Sequence, residues 1–204
     1  MGNLVKKLVV LVFLAGSLFG CNKTPTGQDS PQATVAKLQK ALTEKDRQAF
    51  LECYQDGEKP QKLASAMFDA IQATLSFNDA LKEKRNTEWE IFEAVEIKHD
   101  HVWWLVPPST NPTALTQCDY QTKDDEIVVR GPGIWGGLKK TGGAWRISLE
   151  MFDGREENWA VNFSRLTKAL NNNLKAAMDP TVDLKDLKGR VVTQANPDAE
   201  GDRK

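Results

Sequence analysis

Apolar residues recur every three or four positions in three stretches of the chain, a spacing typical of amphipathic helices. Ser30-Pro31 is a favourable start for the first helix, and Asp46 can cap a continuation of it. A second helix is predicted after Pro60, and a third from about Glu156 to Met178. The apolar positions within the three stretches are Val35, Leu38, Ala41, Leu42, Leu63, Met67, Ala70, Ile71, Leu75, Trp159, Phe163, Leu166, Leu170 and Leu174.

Between the second and third helices the apolar spacing changes to two, which is typical of strands. The predicted strands are Trp89 to Ile97, Val102 to Val106, a short one at Tyr120, Ile127 to Arg130, Ile134 to Lys140, and Ala144 to Glu150. Thr141-Gly142-Gly143 suits a hairpin connection between the last two. Helices followed by consecutive hairpins predict an α+β fold with an antiparallel sheet, one face of which is covered by helices.

The N-terminus has the pattern of a secretory signal peptide: Lys6 and Lys7, a short apolar run over 8–15, and then Leu18-Phe19-Gly20-Cys21. The run is shorter than the roughly 20 apolar residues that span a bilayer. Leu18 to Cys21 resembles the lipobox of bacterial lipoproteins, and the alternative is an ordinary signal peptide whose cysteine is incidental. The resemblance implies cleavage before Cys21 and attachment of fatty-acyl chains such as palmitate to that residue.

These patterns divide the chain into four parts. Residues 1–20 are the predicted lipoprotein signal peptide, 21–31 a polar tether, 32–178 a single α+β domain, and 179–204 a flexible C-terminal tail in which Leu184 to Val192 could dock. In many bacterial lipoproteins, an Asp directly after the lipidated cysteine resembles an inner-membrane retention signal. This chain has Asn22 at that position, so sorting to the outer membrane is permitted. We therefore expect an extracytoplasmic domain in the bacterial cell envelope, held at the lipid bilayer through acylated Cys21.

Composition excludes some functions. The chain has 204 residues with 27 Lys+Arg against 28 Asp+Glu, which argues against a basic nucleic-acid-binding protein. His99 and His101 are its only histidines, too few for a histidine-rich metal centre, so we predict no metal. Gly131 to Gly136 formally matches G-x-G-x-x-G, but a strand-like stretch follows where a dinucleotide site needs a helix. Turn glycines are the preferred interpretation, and no cofactor is predicted.

Two segments resemble nuclear transport factor 2-like domains, which include ketosteroid-isomerase-like proteins and many small bacterial lipoproteins. They are Ala-Leu-Thr-Glu-Lys-Asp at 41–46 and Leu-Lys-Lys-Thr-Gly-Gly-Ala-Trp-Arg-Ile at 138–147. The likeness covers about residues 31–152 and implies a curved, cone-like antiparallel sheet packed on N-terminal helices, here with an extra C-terminal helix. Members of this family include enzymes and non-enzymatic binders, so the fold does not assign a function.

Glu93 is the residue most suggestive of chemistry. Alternation places it on the apolar face of the strand Trp89 to Ile97, where a carboxylate would have a raised pKa and could act as acid or base. Alternatively, a bulge turns Glu93 outward, or Arg130 or Arg146 neutralises it.

Tryptophans on the predicted strands belong more often to a core than to a ligand platform. Trp103 and Trp104 point to opposite faces of a regular strand, so one of them faces solvent or a pocket. The pattern leaves open which of the two does so. We name Glu93, Trp104 and Trp145 as the predicted pocket residues.

Once Cys21 is lipidated, Cys53 and Cys118 remain. The compartment permits a disulfide between them, and the alternative is two buried thiols that act as small apolar side chains. The charged run Lys82 to Arg85 is interpreted as a solvated helix end. We expect a non-catalytic lipoprotein that binds a small apolar ligand or an envelope partner protein; the alternative is an isomerase or hydratase that uses a pocket carboxylate.

Overall fold

Side-chain caps mark the starts of the first two N-terminal helices. The computed structural model describes residues 28–89, 91, 119–123, 126–131, 134–152 and 154–196. The helices are α1 (Pro31–Glu44), α2 (Arg47–Glu52) and α3 (Glu58–Arg85). The Ser30 side chain accepts a hydrogen bond from the Ala33 N–H at 3.1 Å, and the Asp46 side chain accepts one from the Ala49 N–H at 3.0 Å. Both predicted caps are therefore confirmed.

The described strands form an antiparallel sheet whose order follows the chain. They are β1 (Asp119–Lys123), β2 (Glu126–Gly131), β3 (Ile134–Thr141) and β4 (Ala144–Ser148). Gly142 and Gly143, with φ of 59° and 86°, make the predicted two-residue turn between β3 and β4. The α+β class with an antiparallel sheet is confirmed, and the described strands do not close on themselves.

The glycine-rich segment that begins at Gly131 joins β2 to β3. Gly131 pairs with Ile134 in the antiparallel ladder, so this segment links two strands of a hairpin. A dinucleotide site needs a helix to begin at this point, because the amides of its first turn bind the pyrophosphate. Gly131 ends β2, and Gly136 lies inside β3 opposite Val129, so neither glycine opens a helix. Gly133 lies outside the described residues, and its role as a turn glycine stays a prediction.

One face of the sheet packs on the helices. Ile127, Leu138 and Ile147 are direct partners across β2, β3 and β4, and all three belong to or pack against the apolar core. The segment after α2 extends this row, because the Ile147 N–H donates to the Cys53 carbonyl at 2.7 Å and Tyr54 bridges to Ile147 in parallel. The sheet is thus fastened to the N-terminal helices along the outer edge of β4.

Two helices follow the sheet. After a short 3-10 helix (Glu150–Phe152), α4 spans Glu156–Met178, as predicted, and α5 spans Leu184–Ala195. This helix lies in the segment 179–204, for which the sequence predicts a flexible tail in which Leu184 to Val192 could dock. In the structure Leu187, Val191 and Ala195 are buried, because they give α5 an apolar stripe that packs on α4. Residues 184–195 therefore belong to the folded domain.

The strand predicted from Trp89 does not begin there. Trp89 lies outside any helix or strand, and Ile91 has a helical backbone. The Asn78 side-chain amide donates to the Trp89 carbonyl at 3.0 Å, and its oxygen accepts from the Trp89 N–H at 3.1 Å. Both backbone groups of Trp89 are therefore bonded to α3 rather than to a strand. The rest of that predicted strand, and the strand Val102 to Val106, lie outside the described residues.

The folded domain begins before the predicted end of the tether. Gln28 is only 7% exposed; its side chain donates to the Glu52 carbonyl at 2.8 Å and to the Trp145 carbonyl at 3.2 Å. Its own carbonyl accepts the Trp145 N–H at 2.9 Å. Gln28 is thus fixed to the edge of β4. Six residues separate it from Cys21, so those two Cα atoms can be at most about 25 Å apart in any conformation.

We expect Gln28→Ala to lower the free energy of unfolding by about 1–2 kcal/mol, because it removes two partly buried hydrogen bonds that join α2 to β4. The control is Gln32→Ala at an exposed position of α1, with an effect within about 0.5 kcal/mol. Urea unfolding followed by circular dichroism measures both. Equal midpoints for the two variants would mean that Gln28 is not docked.

Candidate functional site

Most of the residues singled out from the sequence lie outside the described part of the chain. These are Cys21, Glu93, His99, His101, Trp104 and Cys118. Trp145 lies on β4, two residues before Ile147, so both side chains are on the helix-facing side of the sheet. It is half-buried and packs against the core. Arg146, considered above as a partner for Glu93, donates to the Asp56 carboxylate at 2.6 Å.

Cys53 is buried where α2 ends. The thiol contacts the carbonyls of Ala49 at 3.3 Å and Thr34 at 3.8 Å. Burial raises the pKa of the Cys53 thiol to about 12, so the group is neutral near pH 7. Its surroundings match the alternative of a buried thiol acting as a small apolar side chain. Its pairing with Cys118 stays a prediction.

We expect Cys53 to resist alkylation by maleimide at pH 8 in the native protein, because only the thiolate is strongly nucleophilic. Mass spectrometry of proteolytic fragments should find it modified only after denaturation. Labelling in denaturant with and without reductant separates a free thiol from a bridge to Cys118. Alkylation of Cys53 at equal rates in native and denatured protein would contradict the buried position.

A groove of about 430 Å³ runs between α3 and α4, open to solvent. The residues that line it are Lys62, Ser65, Ala66 and Asp69 of α3, and Ala160, Val161, Ser164, Arg165 and Lys168 of α4. The two helices run in the same direction: their N-terminal thirds line this groove, and near their C-terminal ends Arg85 of α3 contacts the Ala177 carbonyl at 3.0 Å. The groove therefore lies along a parallel helix pair.

The floor of the groove is made of small or apolar side chains. Ala66 and Ala160 are buried where the helices approach each other. Val161, beside them, is 49% exposed, which is unusual for a large apolar side chain in this protein. Removing such surface from water is favourable at about 25 cal/mol per Å², so this strip is suited to receive an apolar group.

The rims of the groove are positively charged. The lining contains three cations, Lys62, Arg165 and Lys168, and one carboxylate, Asp69, so its formal net charge is 3 − 1 = +2. Asp69 is itself paired with Arg47, whose guanidinium carbon lies 5.6 Å from the centre of the Phe68 ring. The Asp69 carboxylate is thus already neutralised from α2.

The two lysines of the rims are exposed, and neither makes an ion pair with any described residue. The groove therefore offers positive charge to a negatively charged ligand. The chain that remains after cleavage before Cys21 would have 25 Lys+Arg against 28 Asp+Glu, so this surface differs in sign from the protein as a whole.

The described residues offer little for acid–base or metal chemistry at this groove. Within the described ranges, no group of three His, Cys, Asp or Glu side chains could hold a metal ion. The Ser164 hydroxyl donates to the Ala160 carbonyl at 2.8 Å, a bond within α4 that uses its proton. The arrangement can bind an anion and an apolar group together.

In the part of the chain that the structure describes, no helix combines the length and apolar character needed to cross a bilayer.

Comparisons with protein-family models, with curated proteins and with solved structures found no match to this chain.

The groove has a signal in the sequence that is too weak to predict it. Lys62, Ala66 and Asp69 follow the spacing i, i+4, i+7, which places them on one stripe of α3. Val161, Arg165 and Lys168 have the same spacing on α4. Each stripe alone looks like an ordinary solvated helix face, and only the packing of α3 on α4 joins them into one surface.

Proposed function

We propose that this protein is an extracytoplasmic bacterial lipoprotein, held at a membrane through acylated Cys21, which binds a partner protein and does not catalyse a reaction. The single observation that carries the proposal is the groove between α3 and α4, with its cationic rims and an exposed Val161 on an otherwise small-residue floor. Protein–protein interfaces combine apolar side chains with polar and charged groups around them, and the lining of this groove offers both.

A partner protein explains this groove better than a small apolar ligand does. Apolar ligands bind in deep cavities that remove most of their surface from water. The groove between α3 and α4 is open to solvent and bordered by Lys62 and Lys168. A macromolecular partner covers such an open surface and brings its own polar groups to the rims.

Membrane anchoring supports the same function. An acyl chain adds about 0.8 kcal/mol per buried CH₂, so several chains on Cys21 would keep the domain at the bilayer. With Gln28 fixed to β4, this edge of the domain would lie within about 25 Å of the acylated residue. Confinement to one surface raises the effective concentration of any partner held there.

The cone-like curvature implied by the nuclear transport factor 2-like resemblance is part of this proposal. The inward row of Ile127, Leu138 and Ile147 on the sheet, covered by helices, supports it. An experimental structure with a flat sheet would contradict it.

The experiment combines lipid labelling with photo-crosslinking of the full-length protein in the cells that make it. Radiolabelled palmitate should label the wild-type chain but not Cys21→Ser. A photoreactive amino acid at Val161 should give a discrete adduct with another protein, whereas the same group at Met178, 42% exposed but outside the groove, should not. No label on Cys21, or no adduct specific to Val161, would overturn the corresponding half of the proposal.

A further inference from the structure

We infer that the partner segment recognised by the groove is an acidic amphipathic helix. This inference rests on the proposed function and names the chemistry of the occupant. The α3 wall of the groove carries Lys62, Ala66 and Asp69 along one stripe, and the α4 wall carries Val161, Arg165 and Lys168. Buried Ala160 lies beside Val161. A complementary ligand must carry apolar groups opposite Ala66, Ala160 and Val161, and carboxylates opposite Lys62 and Lys168.

The dimensions of the groove match a short helix. Lys62 and Asp69 at the ends of the α3 stripe are seven positions apart, as are Val161 and Lys168 on α4. At 1.5 Å per residue each stripe is about 10.5 Å long, or two helical turns. The valley between two packed helices receives the convex face of a third helix, which is how amphipathic helices dock into grooves.

A helix places apolar residues and carboxylates on one face when they are three or four positions apart in its sequence. One or two small apolar residues of the partner would rest on Ala66 and Ala160, against Val161. Glu or Asp residues three or four positions away would lie beside Lys62 on one rim and Lys168 on the other. Coiled coils use the same division, with apolar positions at the seam and charged positions beside it.

A bilayer surface fits the groove less well than a helix does. Anionic lipids attract exposed lysines, but a flat membrane meets convex protein surfaces and leaves a concave strip uncovered. The apolar floor at Ala66 and Ala160 is recessed between two helices. A convex peptide helix reaches both the floor and the rims at once.

The test adds charge reversal to the photoreactive group at Val161 in the full-length protein. The variant Lys62→Glu/Lys168→Glu changes the charge of both rims. Its matched control, Lys185→Glu/Lys188→Glu, makes the same change on exposed residues of α5 outside the groove. We expect the first variant to lower the adduct yield about tenfold or more, because it removes two attractions and adds two repulsions. The control should stay within about twofold.

We expect both double variants to fold, because all four lysines are exposed and substitutions at exposed positions change stability little. Circular dichroism melts check this. Mass spectrometry of the wild-type adduct identifies the crosslinked segment, which should be helical with Asp or Glu within four residues of the crosslinked position. Raised salt during crosslinking should lower the yield.

The outcomes separate this inference from the proposed function. A protein adduct that maps to a neutral or basic segment, or one that survives reversal of Lys62 and Lys168, overturns the acidic helix and leaves partner binding in place. An adduct with lipid alone, or no adduct at all, overturns both. Loss of the adduct in the first variant alone, with an acidic helical segment identified, supports the inference.

Discussion

Phe163→Ala should lower the free energy of unfolding by about 3–5 kcal/mol, the range found when a fully buried aromatic side chain is removed. Phe163 is 1% exposed on α4, and its ring lies 6.1 Å from that of Trp159. It belongs to the core that α4 forms with α3. The alanine variant leaves a cavity there, and α4 would be held less firmly against α3. Urea unfolding monitored by circular dichroism measures the loss.

The control for this substitution lies on the same helix. Val161→Ala removes a side chain that is 49% exposed, so it should change stability by less than about 0.5 kcal/mol. If Phe163→Ala does not fold, Phe163→Leu keeps most of the volume and should cost about 1–1.5 kcal/mol. Equal stability of the Phe163 and Val161 variants would mean that α4 does not pack through Phe163.

Arg85→Ala should cost about 3 kcal/mol, because the guanidinium joins α3 to the end of α4. It donates to the carbonyls of Ala177 at 3.0 Å, Ala176 at 2.9 Å and Val182 at 2.6 Å, and also to that of Asp179. The last carbonyls of a helix have no partner within it, and a cation there also complements the helix dipole. In a domain of this size, we expect the melting temperature to fall by roughly 6–12 °C.

Two controls separate geometry from charge at this position. Lys84→Ala removes the neighbouring exposed cation and should change the melting temperature by less than about 2 °C. Arg85→Lys keeps the charge but has one nitrogen in place of a planar fork, so it should recover less than half of the loss. A melting temperature for Arg85→Ala equal to that of Lys84→Ala would show that α3 and α4 are not joined there.

Local signals in the sequence predicted the ends of several elements correctly. Ser30, Asp46 and the Gly142-Gly143 turn act through atoms two or three residues away, so a short stretch of sequence contains all the information. The span of α4 followed from its apolar spacing, because its buried stripe repeats over many turns.

Residues whose partners are far away along the chain were interpreted less well. Arg85 belongs to the charged run from Lys82, whose composition predicts a solvated helix end, yet it donates to a carbonyl 92 residues away. Gln28 was placed in a tether, and its amide reaches a carbonyl 117 residues away. Composition does not distinguish these residues from their exposed neighbours, since only the tertiary fold supplies their partners.

The candidate site shows the same limit. The predicted pocket residues Glu93 and Trp104 lie outside the described residues, and the chemistry proposed for Glu93 stays a prediction. The groove that the structure does describe joins two stripes nearly one hundred residues apart, around Ala66 and Ala160. Each stripe follows helical spacing, but their juxtaposition depends on how α3 packs against α4.

The central proposal is that acylated Cys21 holds the protein at a membrane and that a partner occupies the groove there. The most direct measurement compares Val161→Cys with Met178→Cys for labelling by a membrane-impermeant maleimide, in isolated membranes and after purification in detergent. The two positions are similarly exposed, at 49% and 42%, and the unsubstituted chain corrects for its native cysteines. We expect Val161→Cys to be labelled several-fold more slowly in membranes than after purification, and Met178→Cys at the same rate in both. Equal rates for Val161→Cys in the two preparations would contradict the account.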